Sequence, residues 1–279
     1  VFALPENVFE FASPKVSSTV MVITPDMARR WLTRNVSNRK LKPLAIAKYA
    51  RDMASGRWEL TGEGIKFGAD GNLKDGQNRL HACIKVNTPF ITFVIRGVSD
   101  EAQRVMDTGV GRTAADSLTI AGEGHATAIA SAAKLALSIA ADAGDYDHFS
   151  PTHAEVEAFV NANPDIRTAA EFSTRVARKT DCPPSVVTYT TWVLSQINRD
   201  AAYDFWISAA EKVGLNAGDP VIAMTNRFAE SRRNRERVPK RAYLSAIYRA
   251  WNARRRGQTL RIIKINSAAG GLVPIPEPK

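Results

Sequence analysis

The spacing of apolar positions changes near residue 122. Before it, short alternating or continuous apolar runs interleave with helical ones. After it, apolar residues recur almost unbroken at three- and four-residue intervals. Residues 1–17 read as an arm or an edge strand, and residues 20–23 as a short strand. Thr24-Pro25-Asp26 predicts a helix start, with Thr as N-cap, Pro at the first helical position and an acid in the first turn. Pro43 opens a second helix, 44 to about 54, with Ile46, Tyr49, Ala50 and Met53 on one face. Gly56 is expected to end it in the left-handed conformation, with Trp58 packed beneath. Residues 64–68 read as a strand and Asp70-Gly71 as a hairpin turn. The return strand covers 72–74, Asp75-Gly76-Gln77 turns sharply, and a helix spans 78–86. Residues 89–96 form a strand too apolar for an edge. A helix from Ser99 to about Met106 and a Gly-rich loop, 107–112, follow.

Helices are then predicted over 125–142, 152–162, 165–179, 184–198, 200–213, 219–235 and 239–256. In the last, Tyr243, Leu244, Ile247, Ala250 and Trp251 share one face, and Arg241, Ser245, Arg249, Asn252 and Arg256 the other. Residues 261–265 read as a terminal strand, and Pro274, Pro276 and Pro278 as an extended tail. The expectation is an α+β protein: an arm (1–17), a small mixed-sheet domain (18–122), a helical domain (123–257) and a C-terminal strand and tail (258–279). No apolar run reaches the ~20 residues of a membrane span, and no secretory leader opens the chain. Cys83 and Cys182 read as isolated buried thiols of a reducing cytoplasm. Four histidines and no paired-Cys motif leave no structural zinc site.

Charge adds a partner. The net charge is +10. Residues 227–264 hold 13 Lys/Arg against Glu230 and Glu236, a local balance of +11. Residues 29–51 hold a second basic cluster that includes Arg39, Lys40 and Lys42. Two concentrated basic zones favour a polyanion, because cations near phosphates release counterions. DNA is the expected partner, met by Arg39 and Lys40 and by an Arg241/Arg249/Arg256 backbone track. A membrane surface is not, since no exposed apolar face accompanies the cations.

The densest chemistry lies in Leu73-Lys-Asp-Gly-Gln-Asn-Arg-Leu-His-Ala82. A strand ends, a glycine turns, and a helix begins with free amides, a ready anion site. Asn78 sits where an N-cap belongs. Arg79 offers a planar fork to the same space, Gln77 and His81 lie beside it, and Asp75 could orient Arg79 or hold a metal ion. Gly109 and Arg112 of the 107–112 loop could close over a second phosphate. The same groups also read as a well-capped helix beside a plain tight loop.

Asp75-Gly76-Gln77-Asn78-Arg79-Leu80 after a short hairpin resembles the signature of the ParB/sulfiredoxin superfamily, in its phage and prophage branch of ParB-like nuclease domains. Asn38-Arg39, Tyr49, Asp52-Met53, Gly56-Arg57-Trp58, Asp107-Thr108-Gly109 and Arg112-Thr113 agree with it. The resemblance implies a ParB-like domain over about 20–120 and several activities. Partition proteins bind CTP through a Gly-Glu-Arg-Arg-x-Arg box, in which Gly76 and Arg79 match while Asn78 and His81 replace arginines. Sulfiredoxins carry a cysteine where Asn78 stands. A free-serine kinase of this fold carries Asp-Gly-His-Thr-Arg, matched by Asp75, Gly76 and Arg79; phosphoryl transfer there would use Glu63 as base. The reading is therefore a DNA-binding protein holding a nucleotide, CTP or ATP, with Mg²⁺. Its rivals are a metal-dependent nuclease, for which Asp70, Asp75 and Asp107 are the only candidate carboxylates, a phosphotransferase with Asp75, Glu63 and His81 as its catalytic set, and a non-enzymatic phage protein that binds a host protein. A homodimer stays open.

Overall fold

The computed structural model describes residues 16–36, 38, 40–99, 113–141, 149–264 and 274–279. The chain divides into two compact units, Val1–Gly111 and Arg112–Lys279, each with its own core.

The first unit contains β1 (Ser17–Ile23), α1 (Pro25–Leu32), α2 (Pro43–Ala54), β2 (Gly64–Gly68), β3 (Leu73–Asp75), α3 (Gln77–Val86) and β4 (Phe90–Val98). Its sheet is mixed, in the order β1-β4-β2-β3: β4 runs antiparallel to β1 and parallel to β2, and β2 antiparallel to β3. The apolar β4 is therefore interior, as its composition requires. Thr24 caps α1 by accepting the Met27 N–H at 3.2 Å. Ile23, Ile65, Phe67, Leu73, Phe90 and Val94 meet Ala28, Met53, Leu80 and Cys83 of the helices in one core. Trp58 stands edge-on to Tyr49 of α2 and to Phe90 of β4, and its indole N–H donates to the Ile91 carbonyl at 2.8 Å.

The second unit holds α4 (Ala114–Ile120), α5 (Ala126–Ala140), α6 (His153–Ala162), α7 (Ile166–Val176), a 3₁₀ turn (Ala177–Lys179), α8 (Pro184–Ile197), α9 (Arg199–Glu211), α10 (Pro220–Arg233) and α11 (Lys240–Arg255). Among the described residues it has no strand. Thr113 with Asp116, and Thr152 with Glu155, form capping boxes that start α4 and α6. Ala114 and Leu118 of α4 are buried with the helical core, so by packing this helix belongs with the second unit. Trp206, Phe205, Phe228 and Trp251 are the largest fully buried side chains of that core. The predicted strand at 261–265 is corrected: residues 261–264 are irregular. Instead of finding a strand partner, this segment inserts Ile263 into the helical core, and the neighbouring Leu260 N–H donates to Gly218 at 2.9 Å.

Candidate functional site

Gly76 alone connects β3 to α3, at φ 101°. A Cβ there would stand 2.3 Å from Ile65 Cδ1 and 3.3 Å from Ile65 Cα. Glycine is thus required by backbone conformation and by close approach to β2 together. The turn then converges on Asp75. Its Oδ1 accepts the Gly76 N–H at 2.7 Å, and its Oδ2 accepts from Lys66 Nζ at 3.3 Å and Arg79 Nη2 at 3.2 Å. Arg79 Nη2 also donates to the Gly64 carbonyl at 2.9 Å, and the Arg79 side chain is only 8% exposed.

The neighbouring amides are committed as well. Gln77, buried, accepts from Asn35 Nδ2 at 3.0 Å. Asn38 Nδ2 donates to Asn35 at 2.5 Å and to the Leu73 carbonyl at 2.7 Å. Asn78 Oδ1 accepts the Lys42 N–H at 3.1 Å. The Leu73 N–H donates to Arg34 at 3.0 Å. The basic loop that carries the exposed Lys40 and Lys42 is thereby fastened to the start of α3.

Two expectations change here. Arg79 does not present an open fork; it is tucked under the turn, where an acid on β3 and a carbonyl on the neighbouring β2 share it as donor. Asn78 is not the N-cap, a place taken by Gly76, because its side chain reaches across to α2. Asp75 meets three donors with two oxygens, which suits an acid that holds the turn closed better than a general base. Glu63 is exposed just ahead of β2 and forms no ion pair among the described residues; only its backbone is engaged, with its carbonyl accepting from Thr92 at 3.2 Å. His81 is half-buried one turn into α3. Gly109, Arg112 and Arg39 lie outside the described residues, as does Asp107. Asp70 caps the hairpin by accepting from the Asn72 N–H at 2.9 Å and Lys74 Nζ at 3.2 Å; the Asn72 amide above all holds its carboxyl below the usual range. Among the described residues no group of His, Cys, Asp and Glu is placed to hold a metal ion. Cys83 is buried, and burial pushes its thiol up to about 11. A thiolate at neutral pH is thus disfavoured at the one cysteine near the turn.

The helical unit distributes its charge differently. Arg227, largely buried, reaches both acids of the zone: Glu236 at 2.7 Å and Glu230 at 3.5 Å. That contact holds the Glu236 carboxyl below its ordinary range. Arg232 pairs with Asp181, and Arg254 with Asp204 at 2.9 Å. Arg233, Arg235, Arg237, Arg256, Arg261 and Lys264 are exposed and have no acidic partner among the described residues. The face of α11 drawn as a DNA track is partly covered by the chain itself. Ser245 Oγ donates to the Pro274 carbonyl at 2.7 Å, and Trp251 Nε1 to the Lys279 carbonyl at 2.8 Å. Asn252 donates to the Glu277 carbonyl at 2.8 Å and accepts the Lys279 N–H at 2.7 Å. Arg249 donates to the Lys264 carbonyl at 3.1 Å, and Arg241 is half-buried and engaged within the chain. Of that track Arg249 and Arg256 are exposed, and Arg249 is already engaged with the Lys264 carbonyl.

Compared with known protein families, with curated proteins and with solved structures, the chain matches none.

Sequence reading passed over three groups that shape these surfaces. Lys66 completes the Asp75–Arg79 cluster; it faces Asp75 through a register shift at Lys66/Phe67, which no local pattern marks. Asn35 ties the basic loop to Gln77, a contact 42 residues apart in the chain that no local pattern marks. Arg227 neutralises Glu230 and Glu236; its spacing of three to Glu230 was the legible half.

Proposed function

We propose that the protein binds DNA through the phosphate backbone, with the α10–α11 connection and the C-terminal end of α11 as the contact surface. One observation carries this. The only two acids of the basic zone are both held by a single, largely buried arginine, so six exposed cations keep their charge for an external partner. Four of the six are arginines at the end of α10 (Arg233), on the connection that follows it (Arg235, Arg237) or at the end of α11 (Arg256), and Arg forks suit phosphate oxygens. The two groups flank a 16-residue helix, so they stand roughly 24 Å apart, enough to reach phosphates of several successive nucleotides. The ParB-like signature of the first unit, and the fastening of its basic loop to α3, support the same class of partner.

A nucleotide at the Asp75–Arg79 turn forms no part of this proposal, because the guanidinium that would take its phosphate already serves Asp75 and Gly64. Hydrolysis of DNA forms no part of it either, since Asp70 and Asp75 each close a turn and pair with a lysine.

A fluorescence-anisotropy titration of a labelled duplex against salt is the test. Binding should weaken with a log–log slope of about −3 to −5. The double substitution Arg235→Ala/Arg237→Ala should weaken all duplexes alike and bring the slope closer to zero by about 2. No affinity at low salt overturns the proposal.

A further inference from the structure

We infer that β1 is the pairing edge of a homodimer, in which two copies join their sheets antiparallel with Val20 at the twofold axis. The inference concerns the first unit and stands apart from the DNA reading.

Folded proteins blunt the edges of their sheets with short strands, charged side chains, proline or bulges. This sheet has two edges and treats them differently. β3 is three residues long, carries Lys74 and Asp75, and its pairing with β2 is broken by a register shift at Lys66/Phe67. β1 has none of these devices. It is seven residues, Ser-Ser-Thr-Val-Met-Val-Ile, without charge or proline. Its register with β4 is unbroken from Ser17↔Arg96 to Ile23↔Phe90. Its other edge has no strand partner among the described residues. Val16, Val20 and Val22 are 53%, 44% and 56% exposed, and Ile91, opposite Val22 on β4, is 37% exposed. An apolar stripe thus runs beside a row of backbone donors and acceptors that have no strand partner among the described residues.

A second copy fits this edge by size and by charge. Antiparallel self-pairing about Val20 sets Ser17 against Ile23, Ser18 against Val22 and Thr19 against Met21. Each small hydroxyl residue meets a larger apolar one, and no bulky pair falls together except Val20 with itself. The chain carries a net charge of +10, so two copies repel at most surfaces. The strand has no ionisable side chain and adds nothing to that repulsion. Nor does it offer a counter-charge to select a charged peptide. Closure about a twofold axis also pairs the β1 edge of each copy with the other, which stops further growth along that side.

Sedimentation equilibrium over a concentration series tests the inference. The wild-type mass should rise from 30.5 kDa toward twice that value with concentration. Val20→Lys, at an exposed position, should stay monomeric with unchanged circular dichroism. Val20→Cys should cross-link to itself under mild oxidation, because residues facing each other across an antiparallel pair sit about 4.5–5.5 Å apart, within disulfide reach. The native Cys83 and Cys182 are buried and leave the background low. A wild-type protein that is monomeric at its highest soluble concentration overturns the inference. So does a dimer that persists in Val20→Lys, or a Val20→Cys protein that fails to cross-link.

Discussion

Arg79 ties three parts of the first unit together: the carbonyl that starts β2, the acid that ends β3 and the helix on which it sits. Removing it leaves Asp75 with Lys66 and the Gly76 N–H only, and leaves the buried Gly64 carbonyl without its side-chain donor. Uncompensated groups of this kind cost more than the net worth of the bonds lost. Arg79→Ala should therefore destabilise the first unit by about 2–4 kcal/mol, read as a lower midpoint in urea, where a purely ligand-facing arginine would leave the midpoint within ~0.5 kcal/mol. An unchanged midpoint would return Arg79 to the role of an external anion binder. Much of this corner was legible. Asp75 and Arg79 are four apart, so a helix that begins between them brings them within reach. The direction in which the guanidinium points was not legible. It depends on Gly64, fifteen residues earlier in the chain, having its carbonyl where the turn comes back.

Helices and strands emerged from local pattern because their causes are local: caps at Thr24, Thr113 and Thr152, prolines at the first turns of α1, α2, α8 and α10, and apolar stripes. The C-terminal tail shows where that reasoning stops. Its prolines mark it as extended, yet nothing in them says that it lies along α11. The receiving residues, Ser245 and Asn252, sit on the polar stripe of that helix, and a polar stripe is indistinguishable in sequence from one that faces water. Side chain-to-backbone bonds have no period. Arg249 and Arg241 illustrate the consequence, since both share the stripe and both are engaged within the chain. Among the described residues Asn252 makes two hydrogen bonds to the tail. Asn252→Ala should free residues 274–279 with a loss of about 1–2 kcal/mol at that contact. In hydrogen-exchange mass spectrometry the C-terminal peptide should exchange at least several-fold faster, while peptides from α8 and α9 stay unchanged. Equal protection of the tail in both proteins would mean that Trp251 and Ser245 suffice.

At the scale of the whole chain, two separate cores lie either side of Gly111, and each has its own sensitive charge cluster. In the second unit, Arg167 of α7 grips Glu123 of the α4–α5 connection with Nε at 2.9 Å and with Nη2, and donates Nη1 to the Val160 carbonyl at 3.2 Å. The Arg167 hydrogen bonds hold the Glu123 carboxyl below its ordinary value of 4.5. A carboxylate whose folded value is depressed adds stability that is complete above the unfolded value and is lost as pH falls through the folded one. The pair is partly open to solvent, so the amount is on the order of 1 kcal/mol. Two cores and two clusters predict two responses in one molecule. Peptide-resolved exchange between pH 6 and 3.5, corrected for the intrinsic rate, should show protection across α4, α5 and α7 declining below pH 4.5. Glu123→Gln should flatten that decline while leaving β2, β4 and α3 at wild-type protection. Arg79→Ala should do the reverse: weaken β2, β4 and α3 at every pH and leave the acid response of α4–α7 as it was. If either substitution lowered protection on both sides of residue 111, the chain would unfold as one cooperative body, and the two cores would have to be coupled.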